Sequence, residues 1–395
     1  MIIKCCRTMM IVFAMLSFLS IAIGNITLGI ATLCFLLCAF QNRNGFHTVD
    51  RTYYAAIAVF MATMLISALG SGDIRRGLCV WSDFWFWRLM PFFILTTVLH
   101  DASVSKKVFG FSLMGIGIGA IHIMVQGFEG LHRAAGFFGH PMTFAGYLCV
   151  YLPILFVLFF EKRLPTRWRQ VAGGLFVICA FALLFNATRG AWLSISLVIS
   201  LLLLYYLLQR RKLAICVLCA FLVTGAALSQ YEPFMQRMAT ITDTAYQSNT
   251  ERLLIWKSAV HMFRDHPVVG VGLGQYRENY QKKYISPEAK EPEVEHAHNS
   301  FLQMAAENGT VGLVGFLVLL SCFVGVSFRR FLKEKNPYAL MMCVSTLCLA
   351  LQGLTEYNFG NSAVMKCFWL TEGYLLVLSH GWSDSDEGGE DGGQR

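Results

Sequence analysis

Residues 141–160 read PMTFAGYLCVYLPILFVLFF and contain no charged side chain. A helix needs about 20 consecutive apolar residues to cross a bilayer, so this run is long enough to span one. Comparable runs recur along the whole 395-residue chain, which predicts an all-α polytopic membrane protein with about 12 transmembrane helices. The predicted spans are 8–23, 25–40, 52–70, 79–99, 106–127, 141–160, 171–188, 191–208, 213–229, 310–327, 338–356 and 361–379.

The overall composition agrees with a chain embedded in lipid. Hydrophobic residues make up 56% of the sequence and charged residues 14%, against roughly 25% charged residues in soluble domains. Twelve spans occupy roughly 240 residues and leave about 150 for loops and tails. This balance excludes a soluble enzyme, a nucleic-acid-binding protein and a disordered chain, and it makes membrane lipids the immediate partners of the protein.

The basic residues predict how the chain is oriented. The net charge is +8, but Lys and Arg are dispersed at the ends of apolar runs, as the positive-inside rule produces. Alternate short loops hold many of them on one side and few on the other, so both termini are expected in the cytoplasm. The cytoplasmic set is Lys4, Arg7, Arg43, Arg51, Lys106, Lys107, Lys162, Arg163, Arg167, Arg169, Arg210, Arg211, Lys212, Arg329, Arg330, Lys333 and Lys335, and the external set is Arg75, Arg76, Arg133 and Arg189.

The same pattern divides the chain into four segments. Residues 1–229 hold nine spans with short loops, residues 230–309 form one long external loop, and residues 310–380 hold the last three spans. Residues 381–395 are acidic and glycine-rich, so a disordered cytoplasmic tail is expected there. The first span resembles a signal peptide, but a second apolar run follows at once, which favours a retained helical hairpin.

The first helix predicted in the external loop begins at Ser248. Ser248 and Glu251 have the spacing of a capping box, which places Arg252 in the first turn. A cation beside unpaired backbone N–H groups is unfavourable unless an anion such as a phosphate docks there. The alternative is a solvated arginine that pairs with Glu251 or with a loop acid. The apolar stripe expected on this helix is Leu253, Trp256, Val260 and Phe263.

Glycines alternate in the following stretch, VVGVGLG at 268–274. Glycine lets the backbone approach another backbone or a ligand closely. No predicted strand precedes this stretch and no dinucleotide-binding pattern follows it, so we predict a tight, packed turn and not a nucleotide loop.

A second helix in the loop is predicted to begin at Ser300, which has Gln303 at capping-box spacing. His298 then lies just before a helix N-terminus, whose positive end favours the neutral imidazole that a general base requires. A surface histidine with a local hydrogen bond is the plain alternative.

Metal binding by His296 and His298 together with Glu291, Glu293 and Glu295 is a further alternative. Histidines two residues apart project to opposite sides of an extended chain, which is a poor ligand arrangement. The thirteen cysteines lie mostly inside apolar runs and none lies in the external loop. No metal site is therefore predicted.

Two arginines stand out on the external side, which otherwise carries few basic residues. Arg189 joins spans seven and eight, and Arg133 lies in the loop before span six. Arginines at span ends usually extend to the membrane interface without further function. An arginine on the external side, where the positive-inside rule disfavours basic residues, is nevertheless a functional candidate. Roles stay open for Arg88, Lys366 and His296.

Four stretches of the sequence resemble the O-antigen ligase and polymerase superfamily of bacterial envelope glycosyltransferases. They are RAAGFFGHPMTF at 133–144, TRGAW at 188–192, RLLIWKSAVHMFRDHPVVGVGLGQY at 252–276 and HNSFLQMAAENGTVG at 298–312. The last two are the most specific, because they combine an Arg-x3-Trp helix, a Pro-x2-Gly-x-Gly turn and a His-Asn-Ser-x-Leu-Gln helix start. The resemblance covers about residues 130–320, and O-antigen ligase is the favoured member.

The resemblance implies an inverting, metal-independent glycosyltransferase without a cofactor. Such an enzyme moves an O-antigen glycan from an undecaprenyl diphosphate donor to a sugar hydroxyl of the lipid A-core acceptor in lipopolysaccharide assembly. It implies a location in the bacterial inner membrane with the long loop in the periplasm. The family's essential histidine matches His298, the expected base, and its diphosphate-binding arginines match Arg189 and Arg252. The same stretches suggest a donor or acceptor pocket that includes Arg133, His140, Trp256 and Asn299.

Three other functions compete with the ligase. An O-antigen polymerase or a protein O-oligosaccharyltransferase would use the same donor. Polymerases commonly carry two sizeable external loops and the protein-glycosylating relatives carry extra C-terminal domains, whereas one such loop is visible here. A membrane transporter is the alternative of another class, but transporters usually show interrupted helices at matching positions in two halves. The glycan, the acceptor sugar and the oligomeric state are not predicted.

Overall fold

The computed structural model describes residues 1–41, 48–131, 133–230 and 232–382, and every regular element in these ranges is helical. The predicted all-α fold is therefore confirmed. The helices are α1 Ile2–Leu16, α2 Ile21–Gln41, α3 Arg51–Leu69, α4 Ile74–Val98, α5 Ala102–Phe128, α6 Pro141–Phe160, α7 Thr166–Asn186, α8 Arg189–Gln209, α9 Arg211–Leu228, α10 Glu232–Ala239, α11 Gln247–Asp265, α12 Tyr276–Asn279, α13 Ser300–Glu334, α14 Pro337–Gln352 and α15 Ser362–His380.

Nine helices in the described part of the chain are long and apolar enough to cross a membrane, namely α2 to α9 and α13. The other three predicted spans coincide with α1, α14 and α15. The helices α1 and α14 have 15 and 16 residues, and α15 carries Lys366 and Glu372, which lower its mean hydropathy. A multi-pass membrane protein is thus confirmed, and each of the twelve predicted spans overlaps a helix.

The boundary predicted between the first two spans, at residues 23–25, differs from the structure. The predicted span 8–23 runs through a break, because α1 ends at Leu16 and α2 begins at Ile21. The two helices are antiparallel neighbours: the Cys6 thiol lies 3.5 Å from the Ala31 carbonyl oxygen, and the Cα of Ser17 faces Gly24. They form the hairpin that the sequence indicated.

The helices expose apolar side chains in the way that a lipid-embedded bundle does. On α8, Ala191 and Ile195 are buried against the bundle, while Leu197, Leu201 and Leu204 are at least half exposed. Because lipid is as apolar as leucine, such exposure costs nothing inside a membrane, whereas in water it would favour aggregation. The exposed faces of the long helices therefore support membrane residence.

Contacts of the Asp50 carboxylate gather the ends of three helices on one side of the bundle. Asp50, which caps α3, lies 3.5 Å from Arg330 near the end of α13 and 3.3 Å from His380 at the end of α15. This is the side that the sequence assigns to the cytoplasm. Two features of that assignment, Arg43 and the acidic tail from residue 383 onward, lie outside the described residues.

The opposite ends of the helices meet the external loop. Asn186 at the end of α7 donates to the Pro141 carbonyl at 2.9 Å, and Asn361 before α15 donates to the Thr143 hydroxyl at 3.0 Å. The hydroxyl of Ser67, near the end of α3, donates to the Val269 carbonyl at 2.9 Å. These bonds bring three inter-helix loops to the same end of the bundle as the loop 230–309.

The glycine stretch is a packed turn, as predicted. Val271 N–H donates to the Ala306 carbonyl at 2.9 Å and Gly272 N–H donates to the Glu307 carbonyl at 3.0 Å. The partner helix α13 is kinked at Gly309, which has φ 60° and ψ −160°. Backbone lies directly against backbone here, so there is no room for side chains at the contact.

Replacing Gly270 by alanine is expected to destabilise the fold strongly. Gly270 has φ +72°, and an added Cβ would lie 2.2 Å from the carbonyl carbon of Glu307. The left-handed backbone alone costs about 1–2 kcal/mol for a residue with a Cβ, and the overlap adds to this cost. Thermal unfolding of the purified protein measures the loss. Gly174→Ala on α7 is the control, because nothing lies within 4 Å of its Cβ position. An equal melting temperature for Gly270→Ala and Gly174→Ala would contradict the role of the turn.

Both predicted capping boxes were wrong. The helix α11 begins at Gln247 and not after Ser248, since Asn249 donates to the carbonyls of Thr240 and Asp243 and ties the helix start to the preceding loop. The cap of α13 is Asn299, whose side chain accepts from Phe301 N–H at 2.9 Å and from Leu302 N–H at 3.0 Å.

The apolar stripe predicted on α11 was also wrong. Leu253 is exposed, and the face that packs against the rest of the loop lies on other residues of the helix. Apolar residues lie on more than one side of α11, so the three- and four-residue spacing alone did not identify which side packs against the loop. The buried apolar residues of α11 are Ile255, Ala259 and Met262, which pack with Tyr276, Tyr280 and Tyr284.

Candidate active site

A cavity of about 190 Å³ lies where the external loop meets the ends of several helices. Residues from α8, α11, the loop before α6, the segment before α13 and the loop after α14 form its wall. Five of the seven site residues singled out from the sequence line this cavity, although they come from distant parts of the chain. These five are Arg133, His140, Arg189, Arg252 and His298.

The other two, Trp256 and Asn299, are not among the lining residues. The indole N–H of Trp256 donates to the Ala297 carbonyl at 3.0 Å. Asn299 caps α13 and its amide donates to the Leu354 carbonyl at 2.9 Å. Both residues flank His298 through hydrogen bonds to the backbone, so their placement gives them a structural function in the segment that carries it.

Arg189 is held firmly at the first position of α8. The residue is 8% exposed, and its guanidinium donates both to the backbone carbonyl of Thr240 and to the Thr240 hydroxyl, the latter at 3.1 Å. Its guanidinium carbon also lies 5.2 Å from the ring centroid of Tyr246. A cation fixed in this way loses little side-chain entropy when it binds an anion.

Arg252 lies in the second turn of α11, because that helix begins at Gln247. The expectation that it stands beside the free N–H groups of the first turn was therefore wrong. Its Nη2 atom is 3.9 Å from a carboxylate oxygen of Glu356. Burial lowers the pKa of Arg252, the Glu356 carboxylate raises it and Arg237 lowers it, with a net decrease.

Two further arginines share the cavity wall. Burial lowers the pKa of Arg133, and the charges of Arg237 and Arg252 lower it further. Arg237, on α10, donates from Nε to the Ala187 carbonyl at 3.3 Å. Arg237 was not predicted as a site residue, although it also lies in the predicted external loop. Four guanidinium groups around one small cavity repel one another, and a multiply charged anion would relieve that repulsion.

His298 is paired with an acid, Glu356, that was not predicted as a site residue. Its Nδ1 atom lies 3.3 Å from the Glu356 carboxylate, in the loop between α14 and α15. Burial raises the pKa of Glu356, but the hydrogen bond from His298 and the charges of His298, His296 and Arg252 outweigh it and bring the pKa to about 2. A carboxylate at Nδ1 keeps the proton on that nitrogen and leaves Nε2 free to accept one. The missed signal was an acid at the end of an apolar run.

Backbone strain also concentrates at this cavity. Four non-glycine residues of the described chain have positive φ, and two of them, Arg133 at 61° and His298 at 47°, line the cavity. A third, Ala187 at 52°, accepts the hydrogen bond of Arg237. Strained conformations of this kind cost of order 1–3 kcal/mol each and persist where surrounding contacts impose them, frequently at functional sites.

His296, His298 and Glu356 also form a group whose possible metal-ligating atoms lie within 4.8 Å of one another. This set differs from the one considered in the sequence, since Glu293 and Glu295 instead pair with Arg277 at 3.2 and 3.4 Å. Two imidazoles and a carboxylate suit a zinc ion chemically. The neighbouring arginines make the cavity unfavourable for a cation, so the expectation of a metal-independent site stays our prediction.

The stability of the protein is expected to fall in mild acid because of His296. The pKa of His296 is lowered to about 4, mainly by burial and in smaller part by the charge of His298, while the Glu356 carboxylate opposes the decrease. An unfolded histidine titrates near 6.5, so the unfolded chain binds a proton between about pH 6.5 and pH 4 that the folded protein excludes. The loss should be of the order of 1–3 kcal/mol at pH 4. Thermal unfolding from pH 7.5 to pH 4 measures it, and His296→Gln should flatten this part of the profile. An identical pH profile for His296→Gln and wild type would contradict the assignment.

The two cations inside predicted spans lie away from the cavity wall. Lys366 donates to the Asn25 side chain at 2.6 Å, and Arg88 donates to the Phe359 carbonyl at 2.9 Å. Both bonds connect α15 or the turn before it to other helices, which indicates that they help to hold the bundle together.

Comparison with known proteins shows that part of the chain resembles a described family. Residues 174–317 match a family model described as O-Antigen ligase. An Apolipoprotein N-acyltransferase of Vibrio cholerae serotype O1 is 26% identical over 257 residues, which cover 56% of this chain and 49% of that protein. A ComP-specific O-oligosaccharyltransferase of Acinetobacter baylyi is 23% identical over 234 residues, which cover 58% and 41%.

A third relative, the Exopolysaccharide production protein ExoQ of Rhizobium meliloti, is 23% identical over 271 residues, which cover 63% of this chain and 60% of ExoQ. The chain spans about half the length of the curated relatives that it matches. The family match includes Arg189, Arg252 and His298 and ends before Glu356. These matches agree with the resemblance seen in the sequence: residues 174–317 are similar to the O-Antigen ligase family model.

Proposed function

We propose that this protein transfers an O-antigen-type glycan from undecaprenyl diphosphate to a sugar hydroxyl of the lipid A-core. One observation carries the proposal: a histidine–carboxylate pair and four arginines share one cavity at the end of a polytopic helical bundle. The histidine suits proton abstraction from a hydroxyl, and the arginines suit a diphosphate leaving group. The cavity therefore contains the two kinds of group that glycan transfer from a lipid diphosphate requires.

The reaction is a single displacement at the first carbon of the glycan. The acceptor oxygen forms a bond to that carbon while the bond from the carbon to the diphosphate oxygen breaks. The proton of the acceptor hydroxyl passes to Nε2 of His298, and the electron pair of the broken bond leaves with the undecaprenyl diphosphate. Attack from the face opposite the leaving group inverts the anomeric centre.

The arginines act on the charge that develops as the bond breaks. Arg189 and Arg252 are the residues we assign to the diphosphate, with Arg133 and Arg237 adding to the positive potential of the cavity. Fixed cations stabilise a developing anion more effectively than water because they need no reorganisation. No nucleotide is required, since the diphosphate linkage already activates the glycan.

Glu356 is a positioning residue in this scheme. Glu356→Gln should lower kcat by about 10²-fold, because the amide can donate to Nδ1 of His298 and impose the tautomer that lacks a free Nε2. The apparent KM for the donor should change little. Steady-state transfer assays separate the two parameters, and Glu356→Asp should recover part of the rate. An unchanged kcat in Glu356→Gln would contradict the positioning role.

The proposal includes a location for the reaction. We assign the cavity to the periplasmic side of the bacterial inner membrane, with both termini in the cytoplasm. The distribution of basic residues supports this orientation. The contacts of Asp50 with Arg330 and His380 support it as well, because they gather basic helix ends at the opposite side from the cavity.

A gene deletion tests the proposed function. The deleted strain is complemented with the wild type, His298→Ala, Arg189→Ala or Arg252→Ala, and its envelope glycans are analysed. If the protein is a ligase, the strains that carry the alanine variants should lose glycan on lipid A-core and accumulate polymer on the carrier. Accumulation of single repeat units would identify a polymerase instead, and loss of glycan from a protein would identify an O-oligosaccharyltransferase, the activity named for the Acinetobacter relative.

A further inference from the structure

Three buried side chains of the cavity wall keep a polar atom without a hydrogen-bond partner among the described residues. One of these atoms, Oε2 of Glu356, faces the guanidinium of Arg252 at 3.9 Å. The other two belong to Glu251, which is 3% exposed and has a free Oε2, and to Gln352, which is 0% exposed and has a free Nε2. Buried polar atoms in folded proteins are nearly always hydrogen-bonded, and leaving one unpaired costs about 1–3 kcal/mol. The atoms of Glu251 and Gln352 are therefore positions on the cavity wall at which a bound ligand can supply the missing hydrogen bonds.

Each of the two side chains is anchored by its other polar atom. Glu251 Oε1 accepts from the Lys290 backbone N–H at 3.0 Å, and Gln352 Oε1 accepts from the Asn358 amide at 3.1 Å. The anchoring fixes which atom remains for the ligand: a carboxyl oxygen that accepts from α11 and an amide N–H that donates from the end of α14.

This pair of atoms selects among possible ligands. A phosphate oxygen can accept from Gln352 but cannot donate to the carboxylate of Glu251. An ammonium group can donate to Glu251 but cannot accept from Gln352. A hydroxyl group does both, and a sugar presents several hydroxyls on one rigid ring.

We infer that Glu251 and Gln352 form a subsite for sugar hydroxyl groups beside the diphosphate-binding arginines. The inference rests on the proposed function, because it places a saccharide in the same cavity. The sugar at this subsite belongs either to the donor, as the residue linked to the diphosphate, or to the acceptor. The two sources share the hydroxyl chemistry, so the experiment distinguishes between them.

The test measures saccharide binding without requiring transfer. Two probes are isolated from the strain that lacks the gene: the glycan released from the lipid carrier by mild acid, and the oligosaccharide released from lipid A-core. Binding of each to the purified full-length protein is followed by the shift in its thermal unfolding. The variants Glu251→Gln and Gln352→Glu keep the oxygen that accepts the anchoring hydrogen bond. In the first variant the unpartnered acceptor becomes a donor, and in the second the unpartnered donor becomes an acceptor.

Gln275→Glu is the matched control. Gln275 is 9% exposed and also has an unpartnered Nε2 atom, but it does not line the cavity. Glu251→Asp is prepared as well, since it withdraws the same carboxyl group by one methylene and keeps the protein testable if Glu251→Gln does not fold.

We expect the cavity variants to bind one of the two saccharides about tenfold or more weakly, while Gln275→Glu binds as the wild type does. The saccharide whose binding is lost identifies the source of the sugar. Wild-type affinity of the cavity variants for both saccharides overturns the subsite, and so does failure of both saccharides to bind the wild type at millimolar concentration. Binding without transfer by the wild type would instead refute the proposed function and leave the subsite supported.

Discussion

Replacing His298 by alanine is expected to lower the rate of glycan transfer by about 10²–10⁴-fold, the contribution typical of a positioned general base. The reason is the pairing of Nδ1 with Glu356 at 3.3 Å, which leaves Nε2 as the proton acceptor in a cavity lined by arginines. Binding of the lipid-linked donor should change much less, because the arginines that we assign to the diphosphate remain. Transfer rates and donor affinity are therefore measured on the same preparation.

The backbone at His298 requires a second variant. Its φ of 47° is unfavourable for alanine, so a loss of activity in His298→Ala could reflect a displaced loop. Asparagine adopts this conformation more readily than most residues and has no basic nitrogen, so His298→Asn should be equally inactive but better folded. His261→Ala serves as the control, since this exposed histidine of α11 lies outside the cavity. Transfer by His298→Asn at the wild-type rate would refute the base.

Replacing Arg189 or Arg252 by alanine is expected to lower kcat by about 10²–10³-fold, which is the usual cost of losing one fixed group that stabilises a developing anion. The apparent KM for the donor should also rise. Arg252→Ala has a second consequence, because it removes one of the charges that hold the pKa of Glu356 near 2. Steady-state assays at saturating acceptor measure both parameters.

Lysine variants and a double mutant sharpen this prediction. Arg189→Lys keeps the charge but cannot reproduce the bonds of a planar guanidinium to Thr240, so we expect partial activity. The double variant should lose less than the product of the two single losses, since both arginines act on one leaving group. Arg264→Ala, in the last turn of α11, is the exposed control. Wild-type kcat in both single alanine variants would refute the assignment to the diphosphate.

The architecture could be predicted from the sequence because it depends on long apolar runs and on the placement of basic residues. Each of the twelve predicted spans overlaps a helix, although the first crosses the break between α1 and α2. The packed glycine turn was identified because alternating glycines permit close backbone contact. The capping box predicted at Ser300 was wrong, because the side chain of Asn299 accepts the hydrogen bonds of the first helical N–H groups instead. Tertiary bonds from Asn249 likewise displaced the start of α11.

The candidate site was predictable in part for a similar reason. Arg189 and Arg133 were recognisable because cations on the external side oppose the topological bias, and His298 because it precedes a helix start. Glu356 and Gln352 could not be assigned from the sequence, because their roles depend on residues that are distant in the chain. Glu356 pairs with His298, and Gln352 lines the same cavity as residues of α11. Sequence spacing does not report contacts between segments brought together by folding.

The most direct test of the account is transfer by the purified protein from undecaprenyl-diphosphate-linked glycan to lipid A-core, with donor binding measured in parallel. The account predicts transfer by the wild type, and it predicts donor binding without transfer by His298→Asn. Wild-type transfer by His298→Asn, or no transfer by a folded wild type that binds both substrates, would contradict it.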